Sequence, residues 1–317
     1  MKRFLKWTAL VAVTAVSVAI FTFWTPDTRM EDMRAKYGAP ESRYVSLGNG
    51  LTVHLRDEGR RDAPVIVLLH GSNSFLQTWD DWTKRLTPTY RVIRFDFPGH
   101  GMTGAYPARA YSTSAFADIV DRVTTKLGVT RFVLGGNSMG GGVAWVYAHK
   151  HPEKLIGLVL IDASGQPAPK PTSLPIGFRI AQTPGLRDIM LYITPRSIIE
   201  KSLHQSVSHQ EAVTPASIDR YWELLRYPGN RQATIDRFAT PRDPAVTGAP
   251  RLPVPTLILW GAEDKLIPVA SAAWFKQQVP DAQVIIYPGV GHLMMEEIPE
   301  LSATDLSNWL ASQFKPR

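Results

Sequence analysis

Phe132-Val133-Leu134-Gly135-Gly136-Asn137-Ser138-Met139-Gly140-Gly141-Gly142 is the stretch on which the fold turns. A short, wholly apolar run, Phe132–Leu134, leads into Gly136-Asn137-Ser138-Met139-Gly140, which has the form G-x-S-x-G, and a segment of helical length and period follows, Gly141–Lys150. Strand, G-x-S-x-G and helix in that order are the setting of a nucleophile elbow, a tight turn that holds its serine in a strained backbone conformation. Glycines on either side let chain and helix approach without Cβ clashes. The plainer alternative is a glycine-rich turn whose serine caps the next helix.

Outward from this turn the pattern repeats. Apolar runs at Val65–Leu69, Val92–Phe95 and Leu155–Ile161 alternate with helical segments at Trp79–Leu86 and Ser114–Leu127. Uninterrupted apolar strands separated by helices predict a mostly parallel sheet covered by helices on both faces, an α/β fold. Ahead of them, Tyr44-Val45 and Leu51-Thr52-Val53 flank Gly48-Asn49-Gly50, which predicts a hairpin. From Ser164 to Pro250 the alternation stops. Helix starts are predicted there at Thr194-Pro195, Thr214-Pro215 and Asn230, so the stretch reads as a helical cap. Strands resume at Thr256–Trp260 and Val284–Tyr287, with helices at about Ala270–Gln278 and Pro299–Phe314. The expected organisation is therefore a core of residues 41–163 and 251–317 interrupted by a cap over 164–250, preceded by a tether or short surface helix over 25–40.

A serine hydroxyl needs a base to take its proton, and the base needs a carboxylate to fix its tautomer. Both belong on loops after later strands. Asp264 follows Thr256–Trp260 and His292 follows Val284–Tyr287, which gives the order Ser138, Asp264, His292. Glu263 and Asp162 compete with Asp264 for the acid. The oxyanion of an acyl-transfer intermediate needs two donors. Met139 N–H, at the start of a helix, is one, and Ser72 N–H, in His70-Gly71-Ser72-Asn73 after Val65–Leu69, is the other. No metal or organic cofactor is implied.

The chain has 317 residues, 44% of them hydrophobic, enough for a full core. It contains no cysteine, which excludes disulfide frameworks, Cys-ligated metal centres and thiol nucleophiles. Its net charge of +7 includes Lys2, Arg3 and Lys6, just ahead of an apolar run, and the other basic residues are interspersed with acids, so nucleic acid is not an expected partner. Trp7 to Trp24 is an uncharged stretch of 18 residues, long enough as a helix to span about 27 Å of a hydrocarbon core about 30 Å thick. Residues 1–24 are read as a membrane anchor with the catalytic domain outside the cytoplasm. Cleavage near Ser17-Val18-Ala19, giving a secreted or periplasmic protein, is the alternative.

The chain resembles the α/β-hydrolase superfamily from about Arg43 to Phe314, through HGSN, Asp96-Phe97-Pro98-Gly99-His100-Gly101, GNSMGG, GAEDKLIP and GVGH. That resemblance implies a serine hydrolase with the triad Ser138, His292 and Asp264, and a purely structural turn at Asp96 and His100. Haloalkane dehalogenases and epoxide hydrolases of this fold carry aspartate where Ser138 stands. The elbow and the arginine-rich cap are similar to carbon–carbon bond hydrolases of ring-cleavage pathways, which usually have Trp where this chain has Leu293. The leading expectation is a carboxylic ester hydrolase acting on a small-molecule ester with a medium-sized acyl or aromatic group, the cap cavity being formed by Phe178, Ile180, Leu186, Ile189, Met190, Leu191 and Trp222. The alternatives are a carbon–carbon bond hydrolase and a non-catalytic binding protein of the same fold.

Overall fold

The computed structural model describes Trp7, Thr14, Ser17, Val18 and residues 21–167, 173–241, 243 and 252–313. Most of the apolar amino-terminal stretch lies outside the described residues. Among those described, no helix is long and apolar enough to cross a membrane.

Helix α1 (Met30–Tyr37) precedes the sheet and buries Met33. Strands β1 (Ser42–Gly48) and β2 (Leu51–Glu58) form the hairpin, with Gly48, Asn49 and Gly50 all at positive φ. The remaining strands are β3 (Val65–Leu69), β4 (Arg91–Phe95), β5 (Phe132–Asn137), β6 (Leu155–Ile161), β7 (Thr256–Gly261) and β8 (Gln283–Tyr287). They make one eight-stranded sheet in the order β1-β2-β4-β3-β5-β6-β7-β8. The β1–β2 and β2–β4 pairings are antiparallel and all others parallel.

This order explains where a site can form. From β3 the chain moves to one side, to β4, and from β5 to the other, to β6. The loops leaving the carboxyl ends of β3 and β5 therefore diverge and open a crevice at the topological switch point. Every residue of β5 and β7 is buried, as expected for strands covered on both faces. On one face α3 (Thr113–Lys126), α4 (Met139–Lys150) and α10 (Ala270–Gln278) pack Phe116, Trp145 and Phe275 against Phe132 and Trp260. On the other, α2 (Asp80–Leu86) and α12 (Pro299–Gln313) bring Trp82, Leu306 and Trp309 against Val133, Val159 and Leu257.

Between β6 and β7 the described chain is helical: α5 (Ile176–Gln182), α6 (Leu186–Ile189), α7 (Arg196–Ser206), α8 (Pro215–Leu225) and α9 (Asn230–Ala239). Thr214 caps α8 through a reciprocal pair with Ser217, and Pro215 opens the helix. The other two starts differ from expectation. Pro195 occupies the cap position of α7, one residue before the helix, and Gly229 in the left-handed region precedes α9. Asn230 is instead a buried brace, its amide donating to Gly101 O at 2.9 Å and Leu224 O at 2.8 Å.

Residues 25–37 include a short helix, the second of the two expected alternatives, and they dock on the helical insertion rather than forming a free tether. Thr25 N–H donates to Tyr192 O and Thr28 N–H to Arg226 O, while Asp27 accepts from Arg231 at 2.6 Å. Lys36 and Tyr37 both reach Glu223, at 2.7 and 2.5 Å.

Helix α4 starts under a tight constraint, because a Cβ on Gly140 would stand 2.4 Å from Leu69 O. Gly140→Ala is expected to lose about 1–3 kcal/mol in urea unfolding through backbone overpacking. Unchanged stability would contradict this account of the turn.

Candidate active site

Ser138 joins β5 to α4 with φ 56° and ψ −118°, a conformation that L-residues rarely adopt. Its hydroxyl makes no capping hydrogen bond, so the helix-cap alternative is set aside. The turn closes because Gly136 lacks a side chain: a Cβ there would lie 2.3 Å from Gly140 O. Ser138 N–H donates to Ile161 O, and Ser138 O accepts from Gly142 and Ser164 N–H, which fix the strained residue from both sides. Asn137 adds a cross-brace, its amide donating to Ile161 O and, at 3.1 Å, to His292 O.

His292 and Asp264 are brought together by the loops after β8 and β7. Their side chains are buried, and Nδ1 of His292 meets Oδ2 of Asp264 at 2.7 Å. The other oxygen of Asp264 accepts from Leu266 and Ile267 N–H at 2.8 and 3.0 Å, which aims the carboxylate at the ring. Ser138 and His292 face one cavity of about 100 Å³, with no hydrogen bond between their side chains. Such contacts often tighten only in the reacting complex.

Ser72 lines the same cavity, in the loop after β3. That loop is pinned by buried His70, whose Nδ1–H donates to Gly71 O while Nε2 accepts from Phe97 N–H; the second bond requires a neutral ring. Burial lowers the His70 pKa in keeping with this. The Ser72 hydroxyl accepts from Arg237 Nη2 on α9. Burial pushes this guanidinium down to about 10, and its Nε has no partner among the described residues. Met139 is the first residue of α4, where helical N–H groups lack intrahelical acceptors.

One site-building residue gave no clear sign in the sequence. Glu297, on the short helix α11 (Met294–Glu297), accepts from Ser208, His209 and Gly291 N–H with one oxygen and from Leu293 N–H with the other. It ties the insertion to the His292 loop. Asp162 lies beside Asp264, and one ligand atom each from Asp162, Asp264 and His292 fall within 4.8 Å of one another. That spacing would suit a metal ion, but the His292 nitrogen and both Asp264 oxygens are already engaged in hydrogen bonds. Asp96 accepts from Leu76 and Met102 N–H and from His54, a buried pair spanning strand and turn at 2.7 Å.

The apolar wall of the cavity differs from expectation. Phe178 and Met190 line it, together with Ala181, Ile199, Leu203, Leu225, Ile235, Leu266 and Leu293. Leu186 and Ile189 are about half exposed, because α6 is a single turn that presents them outward. Trp222 instead donates its indole N–H to Thr194 O, bracing α8 against the start of α7.

A mostly parallel sheet with a strained serine turn at its switch point defines a hydrolase. The family model described as alpha/beta hydrolase fold matches residues 64–299, and the chain belongs to that family. A 2-hydroxymuconate semialdehyde hydrolase of Pseudomonas putida is 27% identical over 285 residues, covering 88% of this chain and 98% of the relative. A crystal structure titled as a membrane phospholipase A, a bacterial virulence factor, is 26% identical with a TM-score of 0.75 and covers 100% of both chains. A thermophilic esterase from Thermogutta terrifontis, 23% identical with a TM-score of 0.69, covers 86% of this chain and 98% of its own, a likeness of fold.

Glu297→Gln would turn an amide toward backbone donors that a carboxylate now satisfies. The variant is expected to lose about 2 kcal/mol in thermal or urea unfolding, and an unaltered midpoint would contradict the role given to Glu297.

Proposed function

We propose that the protein is a serine hydrolase that cleaves carboxylic esters through an acyl-serine intermediate. The observation that carries this reading is that strained Ser138 and Asp264-bonded His292 open onto one apolar cavity. Ser138 attacks the ester carbonyl, and His292 takes the hydroxyl proton and returns it to the leaving alcohol. Asp264 fixes the ring with its proton on Nδ1, leaving Nε2 free as the base. The N–H groups of Met139 and Ser72 receive the oxyanion, the first with support from the positive end of α4. Water then repeats the sequence on the acyl-enzyme.

The cavity favours an apolar acyl chain, since nine hydrophobic side chains surround the nucleophile. Similarity over the full length to a membrane phospholipase A supports an acyl ester of lipid type. It also supports our reading of residues 1–24 as an anchor that presents the hydrolase domain at a membrane surface. Similarity to a semialdehyde hydrolase supports a second reading, carbon–carbon hydrolysis with the same three groups. Leu293, at the position after His292, lines the cavity and supplies no ring donor to such a substrate.

Turnover of aryl and glycerolipid esters of graded acyl length, set against a ring-cleavage dienol, separates these readings. Ester turnover should dominate, and Ser138→Ala should lose about 10⁶ in kcat. Preferential cleavage of the dienol would overturn the ester reading.

Asp264→Asn should lose about 10⁴ in kcat, because the amide stabilises the wrong tautomer of His292. A loss below about tenfold would remove Asp264 from the triad.

A further inference from the structure

Asp162 is the one member of the carboxyl–imidazole cluster to which the proposed chemistry gives no task. It follows β6 directly and is completely buried, with its backbone at φ 44°. Parallel pairing of β6 with β7 sets its place: Asp162 N–H donates to Leu259 O, and Oδ1 accepts from Gly261 N–H at 2.9 Å. Oδ2 has no donor to accept from among the described residues. Its neighbour is Asp264, whose carboxylate is already committed to His292 and two backbone N–H groups.

Two buried carboxyls this close cannot both be ionised at ordinary cost, because each charge raises the free energy of the other. Asp264 has three donors that favour its charge; Asp162 has one. A proton on Asp162 Oδ2 removes the second charge and gives that oxygen a hydrogen to donate, with Asp264 as the acceptor at hand.

We infer that Asp162 is a positioning residue, a neutral carboxylic acid that donates its proton to the Asp264 carboxylate, so that the acid behind His292 is a carboxyl pair sharing one negative charge. Its part in catalysis rests on the triad reading above; its protonation state does not. Burial, first, and the negative charge of Asp264, second, push the Asp162 pKa well above the ordinary carboxylate range, with Glu297 adding to the effect and the Gly261 N–H opposing it. The other titratable groups around it are His292 and Tyr287. Asp264 thereby gains one more hydrogen bond, which holds its carboxylate toward the ring and draws part of its negative charge away from the ring.

A carboxyl neutral when folded and ionised when unfolded gives stability that is fully present below about pH 4 and is lost as pH rises toward the raised folded value. Asp162→Asn keeps the shape, the acceptor for Gly261 and a donor for Asp264, and asparagine tolerates positive φ. It should therefore match wild type in stability near pH 4 and exceed it increasingly toward pH 8.

The direct test is infrared difference spectroscopy of wild type against Asp162→Asn at pH 7, with urea unfolding of both from pH 4 to pH 8. The expected result is a protonated-carboxyl C=O band present in wild type and missing from the variant, with the stability gap opening as pH rises. Loss of a carboxylate band instead, or a variant less stable than wild type at pH 8, would overturn the inference whatever the activity. For the positioning role, the acidic limb of kcat/KM should stay in place in Asp162→Asn. In Asp162→Ala it should move to higher pH, with about a tenfold loss of kcat for one hydrogen bond to a charged group. A limb that moves to lower pH in Asp162→Asn would show that an ionised Asp162 had been supporting protonated His292. Inactivity of wild type on every ester, with the infrared and stability results as expected, would count against the ester reading alone.

Discussion

The site depends on one strained residue, Ser138, whose positive φ is imposed by the meeting of β5 and α4. The strain persists because neighbouring groups fill every alternative. Strand β5 is wholly buried between β3 and β6, and the first turn of α4 lies almost in contact with Leu69 O and His70 O. With a Cβ on Gly136 or Gly140 the helix could not start where it does. The conformation lifts the serine out of the sheet at the switch point, where the diverging loops after β3 and β5 leave room for a substrate. The loops after β8 and β7 bring His292, bonded to Asp264, to the same cavity as Ser138.

Around this rigid centre the insertion supplies a wall that is polar where it is fastened and apolar where it faces the cavity. Glu297 gathers four backbone N–H groups from both sides of the boundary, and Glu296 accepts from Thr78 and Tyr221. Thr25 to Tyr37 is a strap across the outside of the same helices. It pairs Asp27 with Arg231, a residue that also lines the cavity. Amino-terminal segment, insertion and substrate cavity are thus mechanically continuous, although far apart in sequence.

Much of this was legible in the amino-acid order. Runs such as Val65–Leu69 and Leu155–Ile161 are apolar throughout because both faces of the sheet are covered, and the elbow announces itself because only glycine fits beside the serine. Ser138, Asp264 and His292 were legible as candidates because each follows a strand, wholly buried for β5 and β7 and largely exposed or half-buried for β8. What was not legible depends on pairings that local pattern does not encode. His54 meets Asp96 across 42 residues, Asp162 comes beside Asp264 through the register of β6 on β7, and Glu297 reaches donors up to 89 residues away. Asp162 did leave a signal: a carboxyl directly after a fully buried strand needs a partner or a proton. Ile180, Leu186, Ile189, Leu191 and Trp222 do not line the cavity, because apolar residues in short helices can face outward or brace a neighbour as readily as line a pocket.

On the proposed chemistry Ser138 is a nucleophile activated by His292. Intact-protein mass spectrometry after exposure to a fluorophosphonate, followed by peptide mapping, tests it most directly. A single phosphonyl adduct on Ser138 is expected, forming rapidly in wild type and absent after His292→Ala, since the hydroxyl then lacks its base. Rapid labelling of another serine, or labelling of Ser138 that is indifferent to His292, would contradict it.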